Sequence, residues 1–146
     1  MMHRRSASVL STVVAVALTT AALTGCGGGG GNSPAGNVLA PAFQPQIINS
    51  IDDFQFQATG VTSVTQTLNY NWRNTGVQAN VNQSCSLTGG TATLVLTDST
   101  GAQVYSRSLV DNGTFPTNPG SASAWSMQVI LTNVSGTLNF RSQKKT

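Results

Sequence analysis

From Asp53 onward, apolar and polar residues alternate with a period of two, the repeat that puts one face of a β-strand in a core and the other in water. Along the segment 64–73, Val64, Leu68, Tyr70 and Trp72 share one parity, and Thr65, Thr67, Asn69, Asn71 and Arg73 share the other. Only Gln66 breaks the pattern. Val77, Ala79, Val81 and Cys85 alternate in the same way with Gln78, Asn80, Asn82 and Ser84. The pattern returns in 91–97, in 102–109, and in a segment marked by Trp125, Met127, Val129 and Leu131. Phe54 and Phe56, flanked by Gln55 and Gln57, mark the first strand, and Leu138 with Phe140 marks the last.

Between these segments stand residues suited to turns. Asn74-Thr75-Gly76, Gly89-Gly90, Asp98-Ser99-Thr100-Gly101 and the segment 133–136 each combine glycine with Asn, Asp, Ser or Thr, residues that accept positive φ or bond back to the nearby backbone. The polar connection 111–120 carries Pro116 and Pro119, which excludes it from the centre of a sheet. No stretch after Asp53 shows the 3.6-residue repeat of an amphipathic helix. One polar face per strand excludes an all-parallel sheet, whose strands are apolar throughout. The pattern predicts an all-β chain: a single antiparallel β-sandwich of about seven strands, Ig-like or jelly-roll-like, over residues 45–146.

The N-terminal region follows a different rule. Arg4 and Arg5 precede an apolar run of 15 residues, 9–23, and Leu23-Thr24-Gly25-Cys26 ends it. A spanning helix needs about 20 apolar residues, so the run is too short, and it is interrupted by Ser11, Thr12, Thr19 and Thr20. A basic start, a short apolar run and small residues also describe an ordinary cleaved secretory signal. Cys26 directly after Leu-Thr-Gly separates the two readings, because that order resembles the lipobox of bacterial lipoproteins. The resemblance implies a signal peptide over 1–25, cleavage between Gly25 and Cys26, and acylation of Cys26 on its sulfur and its new amino group, in part by palmitate. The expected partner of Cys26 is then membrane lipid, and the expected location is the cell envelope. Each buried methylene contributes about 0.8 kcal/mol and two lipid signals already anchor stably, so three chains hold essentially for good. Gly27 stands where an aspartate would retain such a lipoprotein at the inner membrane. The resemblance therefore implies the outer membrane in a Gram-negative host.

After Cys26 come five glycines and then Asn32-Ser33-Pro34-Ala35-Gly36-Asn37, with almost no side chain to bury. Residues 26–44 are expected to form a lipidated, flexible tether, holding the sandwich some ~25 Å from the bilayer by random-coil scaling. Val38, Leu39, Pro41 and Phe43 stiffen its last part into a lead-in strand.

Composition narrows the function. The whole chain carries a formal charge of +3, but removing residues 1–25 leaves five cations against four aspartates, a net +1. Only Arg141, Lys144 and Lys145 cluster, at the C-terminus, and a nucleic-acid surface needs more. There is no glutamate, and the only histidine, His3, departs with the signal. The remaining domain lacks the commonest general base and metal ligand. No enzyme, no cofactor, no metal centre and no nucleic-acid partner is expected. Cys85 is left without an intramolecular partner, so the fold must stand on its core.

A second resemblance covers 90–140. The order Ala92-Thr93-Leu94-Val95-Leu96-Thr97-Asp98-Ser99-Thr100-Gly101, then Val104-Tyr105, Ala124-Trp125 and Ser135-Gly136-Thr137-Leu138-Asn139-Phe140, is similar to pre-peptidase C-terminal domains and proprotein convertase P domains. It implies a secreted sandwich module; the acidic positions that bind calcium in some of those modules are unmatched.

Individual residues support limited chemistry. Trp72 and Trp125 could form a sugar-stacking platform, but their apolar parity favours the core. Tyr105 shares its face with Gln103 and Arg107, and Phe115 sits in the long connection, so Tyr105, Arg107 and Phe115 are the surface candidates for ligand contact. Cys85 reads as a small buried hydrophobe rather than a reactive thiol. Asp52, Asp53, Asp98 and Asp111 suit turn capping better than a calcium loop. The expected function is a lipid-anchored, non-catalytic β-sandwich offering protein or glycan contact. The alternatives are a structural subunit of an envelope assembly, or an accessory domain with weak metal or glycan binding.

Overall fold

The computed structural model describes residues 43–146. The expected leader, Gly25, Cys26 and nearly all of the expected tether lie outside the described residues. Seven strands follow in chain order: β1 Gln46–Ser50, β2 Asp53–Asn74, β3 Ala79–Gln83, β4 Ser86–Thr97, β5 Gln103–Ser108, β6 Gly113–Pro116 and β7 Ser123–Lys144. All pairings are antiparallel, and the described residues contain no helix. The fold is all-β and sandwich-like, not closed into a barrel.

Two 22-residue strands, β2 and β7, build it. They pair along their whole length, from Asp53 opposite Gln143 to Asn74 opposite Ser123. A straight strand of that length would span about 70 Å. Instead the rings of Phe54 and Tyr70, on the same strand, lie 5.4 Å apart. The Asp52 N–H, just before β2, donates to the Arg73 carbonyl at 2.9 Å. The β2–β7 ribbon is therefore folded double, with its two halves in facing layers.

The fold line is written in backbone conformation. Register shifts interrupt the β2–β7 ladder between Ala58 and Gln66, and the β4–β7 ladder between Leu87 and Thr91. Along that line lie Gly60, Ser63, Gly90, Asn133 and Gly136, all with positive φ. Bulges bend a strand and let it pass from one layer to the other. A side chain at Gly90 would collide with the Asn133 carbonyl, and one at Gly136 with the Ser86 carbonyl. Here glycine is required by close backbone approach as well as by φ.

One layer runs β1-β2-β7-β3-β6; the other runs β2-β7-β4-β5. The core between them includes the stacked rings of Phe56 and Phe140, 5.0 Å apart. Trp72 and Trp125 meet edge to face at 5.9 Å and 86°. Both tryptophans are buried, as their parity predicts. Their indole N–H groups donate to the carbonyls of Ser50 and Ser121 at 3.1 and 2.8 Å, so neither buries an unpaired donor.

The structure divides the strands differently from the sequence pattern. The expected separate strands around Phe54–Phe56 and 64–73 are one strand, β2, and the expected turn at 133–136 is a bend inside β7. Neighbouring strands continue pairing across both bends, so neither segment ends. β1 and β6 are additional, and β6 is an edge strand paired only with β3, the place where its proline is tolerated. Val77, expected to point inward, is 56% exposed because β3 begins only at Ala79.

Candidate functional site

The sequence nominates Tyr105, Arg107 and Phe115, and the structure brings them to one side of the sandwich. A register shift between Leu96 and Thr97 places Val104 as an extra residue in β5. Both Val104 and Tyr105 are consequently buried, which corrects the expectation of an exposed tyrosine. The Tyr105 hydroxyl donates to Gln83 Oε1 at 2.5 Å. Burial pushes its phenol pKa up to about 12. Gln83, itself buried, donates through Nε2 to the carbonyls of Ser108 and Asp111 at 2.9 and 3.0 Å. Its amide thus joins β3 to β5 with its hydrogen bonds made. Gln83 is the polar residue at core parity between Val81 and Cys85, a signal that marks a buried polar group in need of partners.

Arg107 and Phe115 satisfy each other. The guanidinium carbon lies 3.9 Å from the Phe115 ring centre, and Nη1 stands 3.5 Å from Asp111 Oδ2. Cation–π stacking between β5 and β6 closes this side of the sandwich, with both groups committed to internal partners.

The remaining carboxylates are also engaged. Asp52 accepts from the Thr75 N–H at 2.6 Å and the Thr75 hydroxyl at 2.7 Å, and pairs with Lys144 at 3.0 Å. Asp98 accepts from the Thr100 hydroxyl and from the N–H groups of Thr100, Ala102 and Ser121. These bonds hold both acids down to about pKa 2, led by the Thr75 N–H at Asp52 and the Thr100 hydroxyl at Asp98. Arg141 grips Asp53 through two nitrogens and lowers its pKa. Among the described residues, no three His, Cys, Asp or Glu side chains come together around one metal position. The Cys85 thiol is buried, donates to the Asn139 carbonyl at 3.3 Å, and has its pKa raised by burial.

Part of the surface is recessed. At the end of the sandwich marked by the β1–β2 turn lies a recess of about 320 Å³, lined by Asn49, Ser50, Ile51, Asn71, Trp72, Arg73 and Ala124. Asn49 Nδ2 donates to the Asn71 carbonyl at 2.9 Å, and Ile51 is 62% exposed. Sequence parity could not find it, because its lining comes from three strands, β1, β2 and β7, and a turn that meet only when β2 folds double. Compared with protein-family profiles, curated proteins and solved structures, the chain matches none. A functional reading of this protein rests on its own residues.

Proposed function

We propose that this protein is anchored at Cys26 by acyl chains in a bacterial cell envelope, the outer membrane where the host has one. There it presents residues 45–146 as a non-catalytic sandwich for protein or glycan contact. The carrying observation is Leu23-Thr24-Gly25-Cys26 at the end of a short apolar run that follows Arg4 and Arg5. Supporting it, the glycine run follows Cys26 directly and the first strand among the described residues begins at Gln46. The non-catalytic part draws support from carboxylates held by hydrogen bonds and ion pairs, and from a buried thiol lifted in pKa.

Intact-mass spectrometry of detergent-extracted protein tests the anchor. The expected mass is that of residues 26–146 plus acyl chains, and Cys26→Ser should abolish both the cleavage and the acylation. An unacylated mature chain overturns the proposal. A second reading, a structural subunit of an envelope assembly, draws on the three strands β1, β5 and β6, each paired on one side only among the described residues; such edges are ready templates for another chain. Stoichiometric co-purification with one envelope protein favours that reading, and retention on polysaccharide favours the first.

A further inference from the structure

The recess at the β1–β2 turn is lined by a cation and by several uncharged polar residues. Arg73 makes no ion pair among the described residues, and the nearest carboxylates in sequence space, Asp52 and Asp53, are taken by Thr75, Lys144 and Arg141. No carboxylate lines the recess. Its polar lining residues are Arg73, Asn49, Asn71 and Ser50, and Ile51, Trp72 and Ala124 are the apolar ones. Its volume lies at the small end of ligand sites.

The surroundings extend this character. Arg73 and Asn71 lie opposite Ala124 and Ser126 in the β2–β7 ladder, on the outward parity of the second layer. Further along that face, Gln128 Nε2 donates to Asn69 Oδ1 at 3.1 Å and Ser126 Oγ to Thr97 Oγ1 at 2.9 Å. Beside the recess this face therefore carries an uncharged strip that includes amides and hydroxyls. β1 runs from Gln46, opposite Gln57 beside the fold line, to Ser50, opposite Asp53 at the recess.

We propose that this recess binds a carboxylated sugar of an acidic polysaccharide: Arg73 takes the carboxylate, Asn49, Ser50 and Asn71 take hydroxyls, and Ile51 with Ala124 meets the apolar ring face. Guanidinium pairs with carboxylate in a planar, two-bond geometry. Amides and hydroxyls both donate and accept, as sugar hydroxyls do. An acidic peptide offers the charge but lacks a row of hydroxyls for the uncharged strip. The inference deepens the glycan-contact reading and rests on it.

The test is an NMR titration of the full-length, detergent-extracted protein, isotopically labelled, with tetragalacturonate. Neutral galactan oligosaccharide and an aspartate tetrapeptide are the comparison probes. Tetragalacturonate should shift the amides of Asn49, Ser50, Ile51, Asn71 and Arg73, with at least tenfold tighter binding than either comparison probe. Arg73→Gln should weaken it at least tenfold, whereas Lys145→Gln, removing a cation outside the recess, should change it less than twofold. Absence of saturable shifts at millimolar ligand, equal binding by Arg73→Gln, or preference for the peptide overturns the proposal. Failure of this titration with acylation intact leaves the anchor standing; an unacylated protein that still binds leaves the recess standing.

Discussion

Gln83 is the residue on which the polar interior of the sandwich depends. It is 2% exposed, and its partners come from β5 and the turn that follows. Tyr105→Phe would leave Gln83 Oε1 buried without its donor, a loss of about 1–3 kcal/mol. Ser142→Ala should act in the opposite direction, because the Ser142 hydroxyl is buried and has no hydrogen-bond partner among the described residues; its removal should gain up to about 1 kcal/mol. Urea midpoints at unchanged slope separate the two effects, and a neutral Tyr105→Phe would show that Gln83 finds another partner. The acids make a second prediction at this scale. Asp52 and Asp98 fall to about pKa 2 in the folded chain, against about 3.9 unfolded. The stability they confer is present above pH ~4 and lost as pH falls toward 2. The urea midpoint should therefore be flat from pH 5 to 8 and drop below 4. Asp98→Asn should be less stable at pH 7 and lose less on acidification; an unchanged acid profile would contradict the assignment.

Among the elements, β2 and β7 carry the architecture, and the bends within them are its most sensitive points. Gly90 and its neighbour Gly89 make a clean comparison. Gly90 has φ +76 and faces the Asn133 carbonyl, whereas Gly89 has open space around its Cβ position. Gly90→Ala should cost more than about 3 kcal/mol, combining the penalty for a left-handed side chain with a backbone collision. Gly89→Ala should be neutral or stabilise by up to about 1 kcal/mol by restricting the unfolded chain. Thermal or urea unfolding of the two variants decides it, and equal effects would remove the fold line from the account. The alternation of apolar residues marked the core faces of these strands correctly at Phe54, Phe56, Trp72, Trp125, Met127 and Leu138, all buried. It could not tell a bend from a turn. Asn133 and Gly136 have turn chemistry in either case, and the difference lies in β4 and β2 continuing to pair on each side.

As a whole, the described domain is held by one core and by pairings distant in sequence, such as Arg141 with Asp53, 88 residues apart. Such a topology closes long loops before its contacts form, and folding in milliseconds to seconds is expected. Cys85 is the one free cysteine among the described residues, and it is buried. Stability should therefore be indifferent to reducing agent. The thiol should react with a disulfide reagent only as fast as the chain opens, with full reaction in denaturant. Prompt reaction in the native state would place Cys85 at the surface and undo the core assignment. The candidate ligand residues were the least legible feature at this scale. Tyr105 and Arg107 share the parity of Gln103 in the chain, but the extra residue in β5 turns the tyrosine inward. The open recess draws on β1, β2 and β7 together.

What the sequence determined by itself is what a period of two can carry: strands, their apolar faces, the capped turn at Asp98, and an all-β class. These are local properties, set by neighbours two to four residues apart. Tertiary structure alone decided that two strands fold double, that Gly90 and Gly136 at the fold line admit no side chain, and that Asn49, Asn71 and Arg73 share a recess. Those outcomes depend on hydrogen bonds between segments far apart in the chain, which no local alternation encodes.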